Sequence, residues 1–136
     1  EKSKEMNSEN FEHLEAKAKD LRLLRGLTYL RNHYAHSGNA NDLAKYCGLS
    51  VRSLNRVFLN ELGMSPKEVL THLRIERAQE LLSSKRSNVT ETAFEVGYQS
   101  LSQFANTFRK HTGQTPSEVF HYGRREDGRR EDGRKQ

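Results

Sequence analysis

Apolar positions along the chain fall into short stretches at helical spacing, parted by polar clusters and single glycines. The longest unbroken stretch is residues 65–84, SPKEVLTHLRIERAQELLSS. Ser65, Pro66 at the first helical position and Glu68 three residues after the serine make a capped helix start. Nothing interrupts the pattern before Ser83 and Ser84, which predicts a helix of about 28 Å at 1.5 Å per residue. Its apolar positions form two stripes. At about 100° per residue, Val69, Leu70 and Leu73 point one way, and Ile75, Ala78, Leu81 and Leu82 point about 140° around from them. A helix with one core keeps one stripe, so this helix is expected to bridge two bodies, one on each half.

The sequence on the two sides of the bridge is related. Leu54, Phe58, Gly63 and Pro66 recur fifty residues later as Phe104, Phe108, Gly113 and Pro116. Upstream the offset is forty-nine, pairing Ala44 with Ala93 and Gly48 with Gly97, so the second copy has one extra residue in its turn. Two copies are too few for a solenoid. They predict two similar small subdomains.

Each copy reads as helix, tight turn, helix. In the first, from Asn41 to Gly63, Leu43, Ala44 and Cys47 face inward, Gly48 ends the helix and Ser50 caps the next one. The inward face of that second helix is Leu54, Val57, Phe58 and Leu62. Small Ala44 and Gly48 allow the close, steep crossing of a helix-turn-helix. In the second copy Asn88 with Glu91 starts a helix, Ala93 is its small residue and Gly97 makes the turn. Ser100 with Gln103 predicts another capping box, and Phe104 and Phe108 face inward. A last short helix after Pro116 carries Val119, Phe120 and Tyr122. Before the first copy, Leu23, Leu27, Leu30 and Tyr34 share a helix face that Ser37 and Gly38 would end. Phe11, Leu14, Ala18 and Leu21 either extend that helix upstream or form a separate dimerising or interdomain helix, since their spacing is also that of a coiled-coil seam.

These patterns divide the chain. Residues 1–22 are a linker or N-terminal helical extension, frayed over the first ten. Residues 23–122 are the folded domain, with helix-turn-helix units at 41–63 and 88–112 and the bridge at 65–84. Residues 123–136, with the duplicated unit RREDG, cannot bury a core and are expected to be a disordered charged tail.

Composition narrows the function. With 136 residues, a third of them apolar and no Trp, the cores must be small. No run reaches the ~18 apolar residues of a membrane span. One cysteine excludes an internal disulfide and suits a cytoplasmic location. The net charge of +5 permits nucleic-acid binding without establishing it, because most of the excess lies outside the repeats. No Gly-rich phosphate loop, nucleophile elbow or carboxylate pair supports an enzyme. His33 and His36 are half of a metal site with nothing to complete it, so surface histidines are the expected reading, with no metal or other cofactor. Cys47, at an inward position, reads as a small core residue rather than a reactive thiol.

The outward faces carry the chemistry. Opposite Leu54 and Phe58 stand Arg52, Asn55, Arg56 and Leu59. A helix-turn-helix lays its second helix in the major groove, where Arg reads guanine and Asn reads adenine with paired hydrogen bonds. The second copy offers Ser102, Gln103, Ala105, Asn106 and Arg109, without early arginines, so weaker base discrimination is expected there. Gln103 serves either a base or the helix cap. Arg109 and Lys110, late on the helix, are phosphate candidates, as are Ser50 and Ser100 at the helix starts and Lys67. Lys85 and Arg86 are weaker ones. One turn of B-DNA is about 34 Å, so a bridge of about 28 Å suits two readers in successive major grooves of a non-palindromic site. The competing reading is a helix-turn-helix pair that binds a protein or RNA, and the outward arginines argue against it.

Residues 23–122 resemble the DNA-binding domain of the AraC/XylS family of bacterial transcription regulators. The resemblance rests on Leu43-Ala44, Gly48-Leu49-Ser50, Leu54-Asn55-Arg56-Val57-Phe58, Gly63-Met64-Ser65-Pro66 and Arg74-x-x-Arg77-Ala78-x-x-Leu81-Leu82. The second half adds Ala93-x-x-x-Gly97-Tyr98, Phe104, Phe108-Arg109-Lys110 and Gly113-x-x-Pro116. It implies an all-α domain of two homeodomain-like helix-turn-helix units joined by a long helix. It implies base contacts at Arg52, Ser53, Asn55 and Arg56, and at Ser102, Gln103 and Asn106. It further implies RNA polymerase as a partner, and a sensor or dimerisation domain in a longer parent chain, of which a sequence opening on Glu1 would be a fragment. The chain departs from the family's usual pattern at Asn106 (commonly Arg), at Thr92 (commonly aliphatic), and at Val119 and Phe120 (commonly an aromatic followed by Arg).

Overall fold

The structure, a computed structural model, describes residues 10–36 and 39–124. The fraying expected of residues 1–9, the stop at Ser37 and Gly38, and the tail beyond Arg124 lie outside the described residues, whereas Asn10, also expected to fray, caps the first helix by accepting from the His13 amide at 2.9 Å. Among those described there are eight helices and no strand: α1 (Phe11–Lys17), α2 (Leu21–His33), α3 (Ala40–Cys47), α4 (Val51–Leu62), α5 (Pro66–Ser83), α6 (Val89–Glu95), α7 (Leu101–Thr112) and α8 (Pro116–Tyr122). They form two compact units, divided between Glu76 and Arg77. The fold is all-α, as the periodicities predict.

In the first unit, Leu14, Leu23, Leu27, Leu30, Leu54, Phe58 and Val69 make a dry centre. The seam of Phe11, Leu14 and Ala18 belongs to this core. Helix α1 is separate from α2: Ala18 is extended and Asp20 caps the next helix. Leu21 does not continue the seam and stands 76% exposed. Two glutamates hold α1 at its ends. Glu76 accepts from the Phe11 amide at 2.9 Å, and Glu61 accepts from the Lys19 and Asp20 amides at 2.7 and 3.3 Å. Gly26 is a close approach: a Cβ there would lie 3.1 Å from Cys47 Sγ and 3.4 Å from the Phe58 ring.

Helix α3 starts earlier than expected, at the cap Asn39 rather than Asn41, with Asn39 accepting from the Asp42 amide at 3.0 Å. Gly48 ends it in the left-handed region, φ 75°, which costs glycine nothing. Ser50 then opens α4, accepting from the Ser53 amide at 3.1 Å. Leu54, Phe58 and Leu62 are buried and Val57 is half-buried. The two-stripe pattern holds except at Ile75, which is buried but lies on the first unit's side of the division. Ser65 and Glu68 cap α5 reciprocally, at 3.2 and 2.8 Å. Val69 and Leu73 join the first core, whereas Ala78, Leu81 and Leu82 are buried in the residues of the second unit.

The second unit repeats the plan. Asn88 and Glu91 form a complete capping box, and Ala93 is fully buried. The turn bond from the Tyr98 amide to the Ala93 carbonyl matches that from Leu49 to Ala44, both 2.9 Å. The core stacks Tyr98, Phe104 and Phe108, with successive ring centroids 5.5 and 5.6 Å apart. Helix α7 ends at left-handed Gly113 as α4 ends at Gly63. Thr115 and Glu118 cap α8 reciprocally, Val119 is buried and Phe120 half-buried, but Tyr122 is 85% exposed, off the inward face proposed for it.

Candidate nucleic-acid interface

Four-residue spacing puts Arg52 and Arg56 one turn apart on α4, with Asn55 and Leu59 beside them. Arg52, Asn55 and Arg56 are all exposed. No hydrogen bond or ion pair engages their side chains among the described residues. They are donors held on a rigid, well-capped helix with their bonding capacity unused.

Ser53 differs from its neighbours. It is half-buried, and its hydroxyl accepts from the Ser50 hydroxyl at 3.1 Å. Ser50 therefore both caps the helix and orients Ser53, and any contact either makes to a ligand must compete with that pair. Below them Arg56, Ser53 and Asn60 line an open groove of about 300 Å³, closed on its other side by Asp20, Arg22 and Glu61. Arg22 donates to both oxygens of Asp20, at 3.1 and 2.8 Å, and its amide donates to the same carboxylate at 2.8 Å. These bonds from Arg22 hold the Asp20 carboxyl down to about 2. The sequence signalled neither this groove nor the Glu61 clamp, since both join residues about forty positions apart.

On α7, Ser102, Gln103 and Asn106 are exposed and Ala105 is half-buried. Ser100 accepts from the Gln103 amide at 3.1 Å, but the Gln103 side chain does not return the bond. The expected capping box is thus half formed, which leaves the Gln103 amide group open to solvent. Arg109 and Lys110 are exposed in the last turn, where a cation also suits the negative end of the helix dipole. Lys67 is exposed in the first turn of α5. Lys85 is not an unattached cation: its ammonium donates to the Phe120 carbonyl and sits 4.7 Å from the Phe120 ring centroid.

The residues with other candidate chemistry have structural roles. Cys47 is buried, and burial pushes its thiol up against the opposing pull of Arg25. His33 stacks on Tyr29 with its Nδ1 2.9 Å from the Tyr29 carbonyl. Among the described residues no three His, Cys, Asp or Glu side chains gather as metal ligands, and no helix is long and apolar enough to cross a membrane.

Two helix-turn-helix units, each turning polar side chains of its second helix to solvent, form the architecture of a DNA-binding domain. Known proteins agree. Residues 43–122 match the family described as a helix-turn-helix domain. The transcriptional activator RhaS of Escherichia coli strain SE11 is 32% identical over 108 residues, 79% of this chain. The chain spans only 38% of the length of that relative. A probable AraC family transcriptional regulator from Rhodopseudomonas palustris superposes with TM-score 0.69 at 25% identity, over 77% of this chain and 99% of the other. The DNA-binding domain of AdpA, solved in complex with a target DNA, gives the same TM-score and identity over 73% of this chain and 89% of the other. The chain belongs to the AraC/XylS family of transcription regulators and corresponds to its DNA-binding domain.

Proposed function

We propose that this chain is the sequence-reading part of a bacterial transcription regulator, with α4 and α7 entering successive major grooves of a non-palindromic duplex site. Arg52, Asn55 and Arg56 read bases from α4, with Ser53 beside them. Ser102, Gln103 and Asn106 read more weakly from α7. Ser50, Lys67, Ser100, Arg109 and Lys110 hold phosphates. In the same reading the protein works in the cytoplasm, contacts RNA polymerase, and is governed by a sensor or dimerisation domain elsewhere in a longer parent chain. The observation that carries the proposal is the exposed, uncommitted Arg52, Asn55 and Arg56 on the second helix of a helix-turn-helix. The alternative of a protein-binding module has no comparable support: an arginine-rich face is a poor fit to an apolar or basic partner.

Selection from random duplex DNA near 0.15 M salt tests this, because nonspecific charge attraction is weak there. The expected result is an asymmetric site with two elements about ten base pairs apart. Arg56→Ala should relax one position of that site and lower affinity for it by about 1–3 kcal/mol. Equal weakening on every sequence would reduce Arg56 to a phosphate-binding role, and no enrichment at all would overturn the proposal for this chain.

A further inference from the structure

One side chain on the outward face of α4 is explained neither by the core nor by charge. Leu59 is 50% exposed. It follows Arg56 by three residues and Arg52 by seven, so it stands on the same face, inside the stripe they form with Asn55. Its counterpart in the internal repeat, fifty residues on, is Arg109, which is also exposed. The same place on the two recognition helices therefore carries a cation in one copy and a branched aliphatic group in the other. A leucine brings nothing to a phosphate. What it suits is an apolar group within reach of two arginines and an asparagine, and the major groove presents one: the C5 methyl of thymine.

We propose that Leu59 is a specificity-determining residue that selects a thymine through its methyl group. The inference rests on α4 being a DNA-reading helix, as proposed above. Leu59 lies about 4.5 Å beyond Arg56 along the helix, and bases step by about 3.4 Å along a strand, so the thymine falls one or two base pairs from the base that Arg56 reads. The flanking residues favour DNA over a protein as the occupant. An apolar protein surface closing on Leu59 would strip water from Arg52 and Arg56 and return no acceptors, whereas a groove floor offers guanine oxygen and nitrogen to both.

The test uses the full 136-residue chain and the duplex it selects from random DNA, with each thymine in turn replaced by deoxyuridine, which differs only by the methyl. One replacement near the Arg56 position should weaken binding about fourfold, the worth of one methyl-sized group kept from water. The same replacement should change nothing for Leu59→Ala, whose melting temperature serves as the folding control. Leu59→Arg, which copies the second repeat, should bind all sequences more tightly with a steeper salt dependence and lose the methyl effect. A methyl dependence that survives Leu59→Ala, or none in the unmodified chain, overturns this inference alone. A chain that selects no duplex overturns the DNA reading and this inference together.

Discussion

Thr92 and Asp20 show how single polar groups set stability here. Thr92 is completely buried in α6, and its hydroxyl is a buried side-chain oxygen without a hydrogen-bond partner among the described residues. A buried hydroxyl left unpaired costs about 1–3 kcal/mol. Thr92→Val removes it while keeping the branched shape, and should stabilise the protein by about 1 kcal/mol, seen as a melting temperature some 4–8 °C higher. An unchanged or lower value would mean that solvent satisfies the hydroxyl. Asp20 acts in the opposite sense. Its carboxyl titrates near 2 in the folded chain against an ordinary 3.8. A depressed carboxyl stabilises in full above the unfolded value and stops doing so as pH falls through the folded one. Asp20→Asn should therefore melt lower than the parent at pH 7, and the gap should close between pH 4 and pH 2. A gap constant with pH would show that the charge of Asp20 is irrelevant and only its cap matters.

Among the elements, α1 departs most from what its sequence suggests. Seven residues with an apolar seam look like an attachment, yet Phe11 and Leu14 are core residues and Glu61 and Glu76 tie down both ends of the segment. Leu14→Ala should cost about 2–5 kcal/mol, measured by denaturant unfolding; a cost below 1 kcal/mol would return α1 to the status of an appendage. The helices of the two helix-turn-helix units were legible because their order is local: a cap, a periodic inward face and a terminal glycine all lie within about fifteen residues. Asn88 with Glu91, Gly48, Phe104 and Phe108 all behave as that local order predicts. What the sequence does not disclose is long-range. Nothing near Glu61 says that it will accept from amides at residues 19 and 20, and nothing near Gly26 says that Cys47 and Phe58 will crowd it. The candidate site divides the same way. Exposure of Arg52, Asn55 and Arg56 followed from helical period, while the Ser50 and Ser53 pairing and the half-formed cap at Gln103 depend on rotamers that period does not fix.

For the molecule as a whole, the two helix-turn-helix units are alike in fold and unlike in charge. The first has its arginines early, at Arg52 and Arg56, and Leu59 and Asn60 late; the second is neutral early and ends in Arg109 and Lys110. Discrimination and anchoring are thus expected to be divided between them. Replacing Arg109 and Lys110 together by Ala should lower the slope of log affinity against log salt by about two, one for each phosphate no longer neutralised, and leave the selected sequence unchanged. A changed sequence would mean that the late residues of α7 also read bases.

Helix α5 has a consequence for how the chain comes apart. Its apolar positions form no single stripe: Val69 and Leu73 belong to the first core, whereas Ala78, Leu81 and Leu82 lie in the second unit. Each part of α5 alone is shorter than the about 12–15 residues below which an isolated helix is marginal in water. When either unit opens, its half of α5 should fray with it while the other half stays wound. Limited proteolysis would then cut α5 on whichever side opens first, and the position of the nick would name the weaker unit.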